Sequence, residues 1–465
     1  MSKKTSPLDV FNLLPKTNCG KCGEDTCFAF ATKVADRKVD LELCTPLFEE
    51  NNYKENLGNL EVLLRPAVRE IRLRSTGNEV RVGGKTVMFR HEFRYDNPTS
   101  IAISVSDTMP EDEMILKVKK ASEWKYRYIG MDLGLDLIAV RCNSNDPMQF
   151  KDRVKKISDN THMPLVLCSF SPEVIEQGLL ALEGQTPLIY AANRENWKEM
   201  SQLSIKYGCP LVVSVPNDLN QLRSLTASLM EEGIENLVLD PGTMPDEGLR
   251  DTINNFTMLR RSATRKEDDL SGFPLLGAPI SAWCEEDEEP EIKAWKESYI
   301  ASMLMSRYAD ILIVNSMEMW SLLPIAIWRT NIYTDPVKPV MVEPGLIKYG
   351  DPGRDSPVLY TTNFALTFYT VQEDFKDIDC YLLVIDTEGI SVESAVAGGK
   401  LTAEKVAEAI KETGLEDMVD HRKIVSPGLA ARISGETEME SGWDVIVGPK
   451  DSAGIKTLLE KKFYQ

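Results

Sequence analysis

Pro164-Leu165-Val166-Leu167-Cys168, Pro187-Leu188-Ile189-Tyr190-Ala191 and Pro210-Leu211-Val212-Val213-Ser214-Val215 are short apolar runs, each opened by a proline and followed by a stretch of helical periodicity. The same unit extends outward on both sides. Upstream lie Ile101 to Val105 and Asp136 to Arg141; downstream lie Asn236 to Asp240, Phe273 to Gly277 and Asp310 to Val314. Helical patterns fall between them over 111–125, 147–158, 172–182, 194–207, 217–232 and 246–263, and the last run is followed by one over 317–328. Strands this uniformly apolar are buried on both faces, as in parallel sheets. Eight such βα units over 98–330 predict a (β/α)8 TIM barrel, with a doubly wound open sheet as the alternative that the count disfavours. The run at 273–277 is the weakest strand former.

In such barrels the strand C-terminal ends carry the chemistry. Here those positions hold Ser106-Asp107, Asn143, Ser169, Asn193, Asp240-Pro241-Gly242 and Asn315-Ser316. These types suit a pterin-like heterocycle, but they are also ordinary helix caps, and capping is the commoner role. Glu285 to Glu289 reads as a solvated loop, and Met303, Met305, Met317 and Met319 read as core packing.

Ahead of the barrel, 1–58 forms a cysteine domain. Cys19, Cys22, Cys27 and Cys44 are spaced C-x2-C-x4-C-x16-C, whereas Cys142, Cys168, Cys209, Cys284 and Cys380 are scattered. Four gathered thiolates are what a [4Fe–4S] cluster requires, and Gly20 and Gly23 allow the tight turns around it. Structural zinc also takes four cysteines, usually as paired C-x2-C units, and only the first pair has that spacing. A helix carrying Leu8, Phe11 and Leu14 on one face leads in, and another carrying Phe28, Ala31 and Ala35 follows Cys27. The linker 59–97 reads as a helix over 59–75 broken at Pro66, then a β-hairpin from Glu79 to Phe89 turning at Gly83-Gly84 and placed to plug the barrel bottom.

Beyond a proline- and glycine-rich boundary near 330–357, which includes Lys338-Pro339, 331–465 forms a smaller Rossmann-like α/β domain. Its strands are 358–362, 380–386, 423–425 and 444–447, with helices 402–413 and 453–462. The strands end in Thr387-Glu388-Gly389-Ile390-Ser391, Ser426-Pro427-Gly428 and Gly448-Pro449, where open α/β sheets bind ligands. Gly398-Gly399-Lys400 is followed by Leu401, and Ser394 stands where a P-loop needs its first glycine. Nucleotide binding is thereby disfavoured.

Composition sets outer limits. The chain has 465 residues, 43% hydrophobic, and a net charge of −19 from 53 basic and 72 acidic side chains. An acidic balance argues against nucleic acid or anionic membrane as a partner. No run approaches the roughly 20 apolar residues of a membrane span, and no apolar segment follows the basic N-terminus. The expected setting is cytoplasmic and oxygen-poor, with reduced thiols. Three histidines, His91, His162 and His421, leave little scope for a multi-histidine metal site.

Four segments resemble a known family: PLDVFNLLPKTNCGKCGEDTCFAFA at 7–31, TTNFALTFYTV at 361–371, DTEGISVESAVAGGKLTAEK at 386–405 and SPGLAARISGE at 426–436. The chain resembles the large (gamma) subunit of the corrinoid/iron–sulfur protein of the acetyl-CoA decarbonylase/synthase complex, in its methanogenic archaeal form. The resemblance implies a methyltransferase that acts as a methyl carrier. A cobamide held mainly by the C-terminal domain cycles between Co(I) and methylated Co(III). It takes the methyl group from an N5-methyl-tetrahydropterin of the sarcinapterin or methanopterin type and passes it to the acetyl-CoA synthase metal centre, while the [4Fe–4S] cluster reduces Co(II). Carried over, the cluster ligands are Cys19, Cys22, Cys27 and Cys44. The corrinoid contacts are Thr361, Thr367, Ser391, Val392, Glu393, Ser394, Ser426, Pro427, Gly428 and Gly454. No protein side chain is catalytic, since the chemistry is on cobalt. The implied partners are the small (delta) corrinoid-protein subunit, as a heterodimer, and the acetyl-CoA synthase/CO dehydrogenase subunits. The D-x-H-x-x-G pattern that supplies an axial histidine in many corrinoid proteins is absent, His421 lying in Val419-Asp420-His421-Arg422, so no axial ligand from the protein is expected. An iron–sulfur electron-transfer subunit without corrinoid and a barrel-based pterin methyltransferase remain as alternatives.

Overall fold

The computed structural model describes residues 6–36, 38–92, 95–284, 287–336 and 339–464. Glu285 and Glu286 of the acidic run and Lys338 of the boundary stretch lie outside the described residues. Two units result, 1–125 with 134–333, and 126–133 with 334–465.

The first unit opens with α1 (Pro7–Leu13), α2 (Cys27–Ala35), α3 (Thr45–Glu49) and α4 (Lys54–Leu64) around a core of their own. Ser6 and Thr26 cap the first two helices, accepting from the Leu8 and Ala29 N–H groups at 3.2 and 3.1 Å. The inward faces differ from those expected. Val10 and Leu14 point in and Leu8 is exposed; Phe30, Ala31 and Val34 point in, and Phe28 stays outside, edge-on to Phe11 at 5.5 Å. Both helices carry apolar residues at neighbouring positions, so periodicity alone leaves the buried stripe undecided, and packing selects it.

The helix expected over 59–75 ends at Leu64, before Pro66. Beyond it Glu70-Ile71-Arg72-Leu73-Arg74 alternates charged and apolar side chains, which is strand periodicity. β1 (Glu70–Ser75) and β2 (Asn78–Gly83) pair antiparallel, so the hairpin turns at Thr76-Gly77 and not at Gly83-Gly84. Ile71, Leu73 and Val82 join Leu137, Val166, Leu188 and Val212, residues at or near the starts of barrel strands, in one core. The hairpin therefore plugs the N-terminal end of the barrel, as expected.

The barrel begins with β3 (Ser100–Ser106) and α5 (Glu111–Glu123). A small hairpin, β4 (Tyr126–Tyr128) and β5 (Met131–Leu133), interrupts it. It resumes with β6 (Leu137–Arg141), α6 (Pro147–Ser158), β7 (Leu165–Cys168), α7 (Pro172–Leu180), β8 (Leu188–Ala192) and α8 (Trp197–Tyr207). Then come β9 (Leu211–Ser214), α9 (Leu219–Glu231), β10 (Leu237–Asp240), α10 (Leu249–Lys266), β11 (Leu276–Gly277), α11 (Pro290–Ser306), β12 (Ile311–Val314) and α12 (Met319–Tyr333). The eight strands are parallel in the order β10-β9-β8-β7-β6-β3-β12-β11. Closure comes from the Leu239–Leu275 bridge, with the Leu239 N–H donating to the Pro274 carbonyl at 2.8 Å. The weak β11 shrinks to two residues but keeps its place.

The outer faces of α11 and α12 depart from the usual polar exterior. Ile292, Trp295, Met303, Met319, Trp320 and Trp328 are all exposed. Met303 and Met319 are thus surface residues and not core packing; only Met305 of that group is fully buried.

In the second unit β13 (Gly345–Tyr349) is an edge strand that the boundary composition concealed. It is followed by β14 (Val358–Thr362), α13 (Ala365–Phe375), β15 (Cys380–Ile385), α14 (Val392–Ala397), α15 (Ala403–Glu412) and α16 (Leu415–Met418). β16 (Lys423–Ser426), α17 (Ser434–Ser441), β17 (Asp444–Val447) and α18 (Ile455–Leu458) complete it. The order is β13-β15-β14-β16-β17, antiparallel only at β13. Alternate residues of β14 and β15 enter two different cores, so both sheet faces are covered: a doubly wound sheet whose four parallel strands run in the order 2-1-3-4, with β13 added antiparallel at the edge.

Candidate functional site

The turn from Cys19 to Gly23 is closed by the Gly23 N–H donating to the Gly20 carbonyl at 3.0 Å, with φ of +70° and +85° at the two glycines. Asn18, itself left-handed at φ 48°, accepts from the Cys27 N–H through Oδ1 at 2.8 Å, and its own N–H donates to Cys27 Sγ at 3.4 Å. Cys27 opens α2 and Cys44 precedes α3, so each sits at a helix start. Cys19, Cys22, Cys27 and Cys44 line one small cavity with Phe30 and Pro46. Cys19 is exposed and Cys27 and Cys44 are buried. A backbone N–H at Lys21 holds the Cys19 thiol below its ordinary range, whereas burial raises that of Cys44. Among the described residues no group of three or more His, Cys, Asp or Glu side chains converges on a point as a single metal ion requires. A four-iron cluster asks for a ring of thiolates, each on its own iron, and four cysteines around a cavity fit that demand. Elsewhere, burial pushes the Cys168, Cys209 and Cys380 thiols up to about 12, the behaviour of inert core cysteines.

The second site is in the C-terminal unit. β14 and β16 are neighbours, yet the chain leaves β14 for β15 on one side and returns to β16 on the other. That reversal is a topological switch point, where open α/β sheets bind ligands beyond the strand C-terminal ends. A cleft of about 480 Å3 lies there. Tyr360 and Ser426 line it; their buried hydroxyls interact with each other and have no further partner, and Thr362 Oγ1 nearby is buried without one. Buried hydroxyls with so few partners keep spare hydrogen-bonding capacity that a ligand can satisfy. Leu366 and Leu429 add exposed apolar walls.

Of the residues expected to contact a cofactor, Thr361, Thr367, Ser391, Val392, Glu393, Ser426 and Pro427 line this cleft. Ser394, Gly428 and Gly454 do not. Ser394 Oγ accepts from Ser391 Oγ at 3.4 Å, the Gly428 N–H donates to the Pro449 carbonyl at 3.0 Å, and Gly454 packs under Pro449. Sequence reasoning missed Thr370, Val371 and Phe375 on α13, although Leu366, Thr370 and Thr367, Val371 are i, i+4 pairs on one face. It also missed Asn363, whose Oδ1 accepts from the Thr387 and Gly389 N–H groups at 3.0 Å each and whose Nδ2 donates to Asp386 at 3.0 Å. That side chain ties the end of β14 to the loop that carries Ser391. Among the described residues no histidine lines the cleft. His421 Nε2 is 2.9 Å from the Ser356 carbonyl, and its ring packs edge-on to Phe463 at 5.1 Å.

At the barrel mouth the polar residues are spent internally. Asp107 Oδ1 accepts from the Asn143 and Ser144 N–H groups at 2.8 and 3.2 Å. Buried Asp240 accepts from Tyr190 Oη at 2.8 Å, Ser214 Oγ at 3.0 Å and the Gly242 N–H at 2.9 Å. Asn193 accepts from the N–H groups of Glu195 and Asn196, and Ser169 from that of Ser171. Capping and bracing account for them.

Residues 14–46 match the Fe-S cluster family model. Residues 70–459 match the family model described as CO dehydrogenase/acetyl-CoA synthase delta subunit. The acetyl-CoA decarbonylase/synthase complex subunit gamma 1 of Methanosarcina mazei is 42% identical, over 99% of both chains. The gamma subunit of Methanothermobacter thermautotrophicus is 44% identical, over 98% of this chain and 99% of its own. This chain belongs to the gamma-subunit family of the acetyl-CoA decarbonylase/synthase complex. The matched stretch spans the barrel and the C-terminal sheet of this chain. Among solved structures, dihydropteroate synthase from Xanthomonas albilineans covers 57% of the chain at 15% identity and a TM-score of 0.39, a likeness too weak to carry function. No helix among the described residues is long and apolar enough to cross a membrane.

Proposed function

We propose that this gamma-family chain is a corrinoid iron–sulfur methyl carrier, a methyltransferase of the 5-methyltetrahydropterin:corrinoid/iron–sulfur protein class, working in the cytoplasm. The observation that carries the reading is the switch-point cleft, with its apolar walls and its buried Tyr360–Ser426 hydroxyl pair, which has no further hydrogen-bond partner. A cobamide bound there supplies a cobalt centre that accepts the methyl group of an N5-methyl-tetrahydropterin and delivers it to the acetyl-CoA synthase metal centre. Leu366 and Leu429 give a macrocycle apolar contact, and Thr361, Thr367, Ser391, Glu393 and Ser426 offer hydrogen bonds to its amide groups. Val392 and Pro427 pack beside them, while Ser394, Gly428 and Gly454 shape the loops behind. Among the described residues no histidine lines the cleft, so a cobamide held there would receive no imidazole from this chain.

Cys19, Cys22, Cys27 and Cys44 hold the [4Fe–4S] cluster that returns oxidised cobalt to Co(I). The small (delta) subunit, as heterodimer partner, and the acetyl-CoA synthase/CO dehydrogenase subunits are the protein partners. The Trp-rich outer face of α11 and α12 suits such a contact. A second reading, an iron–sulfur electron-transfer subunit without corrinoid, draws on the cysteine site alone.

The test is metal analysis and absorption spectroscopy on the complex purified without oxygen. About one cobalt and four irons per chain, with a Co(I) band on strong reduction, is the expected result. Iron without cobalt, despite supplied cobamide, leaves the electron-transfer reading. Asp107→Ala and Asp240→Ala variants should keep methyl acceptance; its loss on both would move the chemistry to the barrel.

A further inference from the structure

The hairpin Tyr126–Leu133 lies in sequence between α5 and β6 of the barrel, yet it belongs to the compact unit formed by 334–465. Its register pairs Tyr126 with Leu133, Arg127 with Asp132 and Tyr128 with Met131, which leaves Ile129-Gly130 as a two-residue turn. Both turn residues are left-handed, at φ 45° and 72°. Such turns favour Asn-Gly; a β-branched residue at the first position is held there against its own preference. The tip is built against one side chain. A methyl group at Gly130 would overlap the ring and hydroxyl of Tyr369. Arg127, which bridges to Asp132 at 2.9 Å across the hairpin, also interacts with the Tyr369 hydroxyl. Tyr369 sits on α13, the helix that presents Leu366, Thr367, Thr370 and Val371 to the cleft.

We propose that this hairpin is a positioning element for the cofactor cleft: its glycine tip, seated on Tyr369, fixes α13 and so the wall that α13 gives the cleft. Gly130 and Tyr369 are positioning residues, since neither lines the cleft itself. The proposal rests on the cobamide reading of that cleft. It explains why an insertion within the barrel carries a strained turn: only a residue without a Cβ lets the strands reach the helix.

Hydroxocobalamin is titrated into the full-length chain, purified with its partner subunit and its iron, and binding is followed by the absorption change. Gly130→Ala is compared with Gly77→Ala, a hairpin-turn glycine at φ 88° with nothing within 4 Å of an added Cβ. Both carry the left-handed penalty, but only the first meets Tyr369. Gly130→Ala should weaken binding by about tenfold or more and raise amide hydrogen exchange over 365–375, with Gly77→Ala near wild type. Tyr369→Ala reaches the same contact from the helix side and should weaken binding similarly, which keeps the test open if Gly130→Ala misfolds. Folded variants that bind like wild type overturn the hairpin's role alone. A wild-type complex that binds no hydroxocobalamin overturns the reading of the cleft, and the hairpin's role with it.

Discussion

Lys85 lies at the plugged end of the barrel, 3% exposed, with its ammonium 3.7 Å from Asp310 Oδ1 and 4.4 Å from the Tyr333 ring centroid. It donates to the carbonyls of Asp96 and Asn97, while Asp310 is also held by Arg260 at 2.7 Å. Burial is the larger influence and brings the Lys85 ammonium down to about 7 from 10.5, against the pull of Asp310. Between those values the unfolded chain keeps the proton and the folded chain has released it. Unfolding therefore takes up a proton in that window, and stability from this group rises with pH from about 7 towards 10.5. Below the folded value both states are protonated and the slope vanishes. Thermal unfolding of the barrel followed across pH 7 to 10 should show this rise, and Lys85→Met should flatten it. An equal slope in the variant would assign the dependence to another group.

The outer face of α12 is rich in large apolar side chains. Met319, Trp320 and Trp328 are exposed there, and its one charged side chain, Arg329, is turned inward against the Thr99 and Gly134 carbonyls. A solvent-facing helix of a barrel ordinarily carries charge, and large exposed aromatics mark contact sites. Trp328→Glu should leave the fold and the iron content unchanged and weaken association with the proposed small subunit at least tenfold in a pull-down or light-scattering titration. Unaltered assembly would remove this face from the interface. The same helix illustrates what was legible in the sequence. Strands buried on both faces are continuous apolar runs, and their count and spacing identified the barrel. Met319 read as core because methionine on a helix usually is, and only neighbouring elements reveal which side is covered. The β1–β2 hairpin turns at Thr76-Gly77 although Gly83-Gly84 is the stronger turn signal, and the strand alternation of 70–74 follows directly on Pro66, which masks it. At the cleft, strand-end hydroxyls were readable from position, whereas α13 became part of the site only through the switch in strand order.

At the scale of the molecule, the cysteine domain and the barrel have separate cores. The cluster of Val10, Phe30, Val34, Leu47 and Leu60 shares no member with the barrel core containing Ile71, Val82, Val166 and Val238. The match to the delta-subunit model begins at residue 70, after the cysteine domain has ended. Separate cores allow separate removal, provided no buried backbone is cut. A chain beginning at Pro66 retains Val68, whose N–H donates to the Lys85 carbonyl at 2.9 Å, and the whole plugging hairpin. On the proposed function it should fold, bind cobamide to the same extent as the full chain, and contain no iron. A strong chemical reductant should still produce its Co(I) spectrum, because small reductants reach cobalt without the cluster. Reduction by a protein electron donor should fail, because the proposed path through Cys19, Cys22, Cys27 and Cys44 is gone. Loss of cobalt along with iron would mean that the cysteine domain also supports cofactor binding; undiminished reduction by the protein donor would mean that electrons reach cobalt by another route.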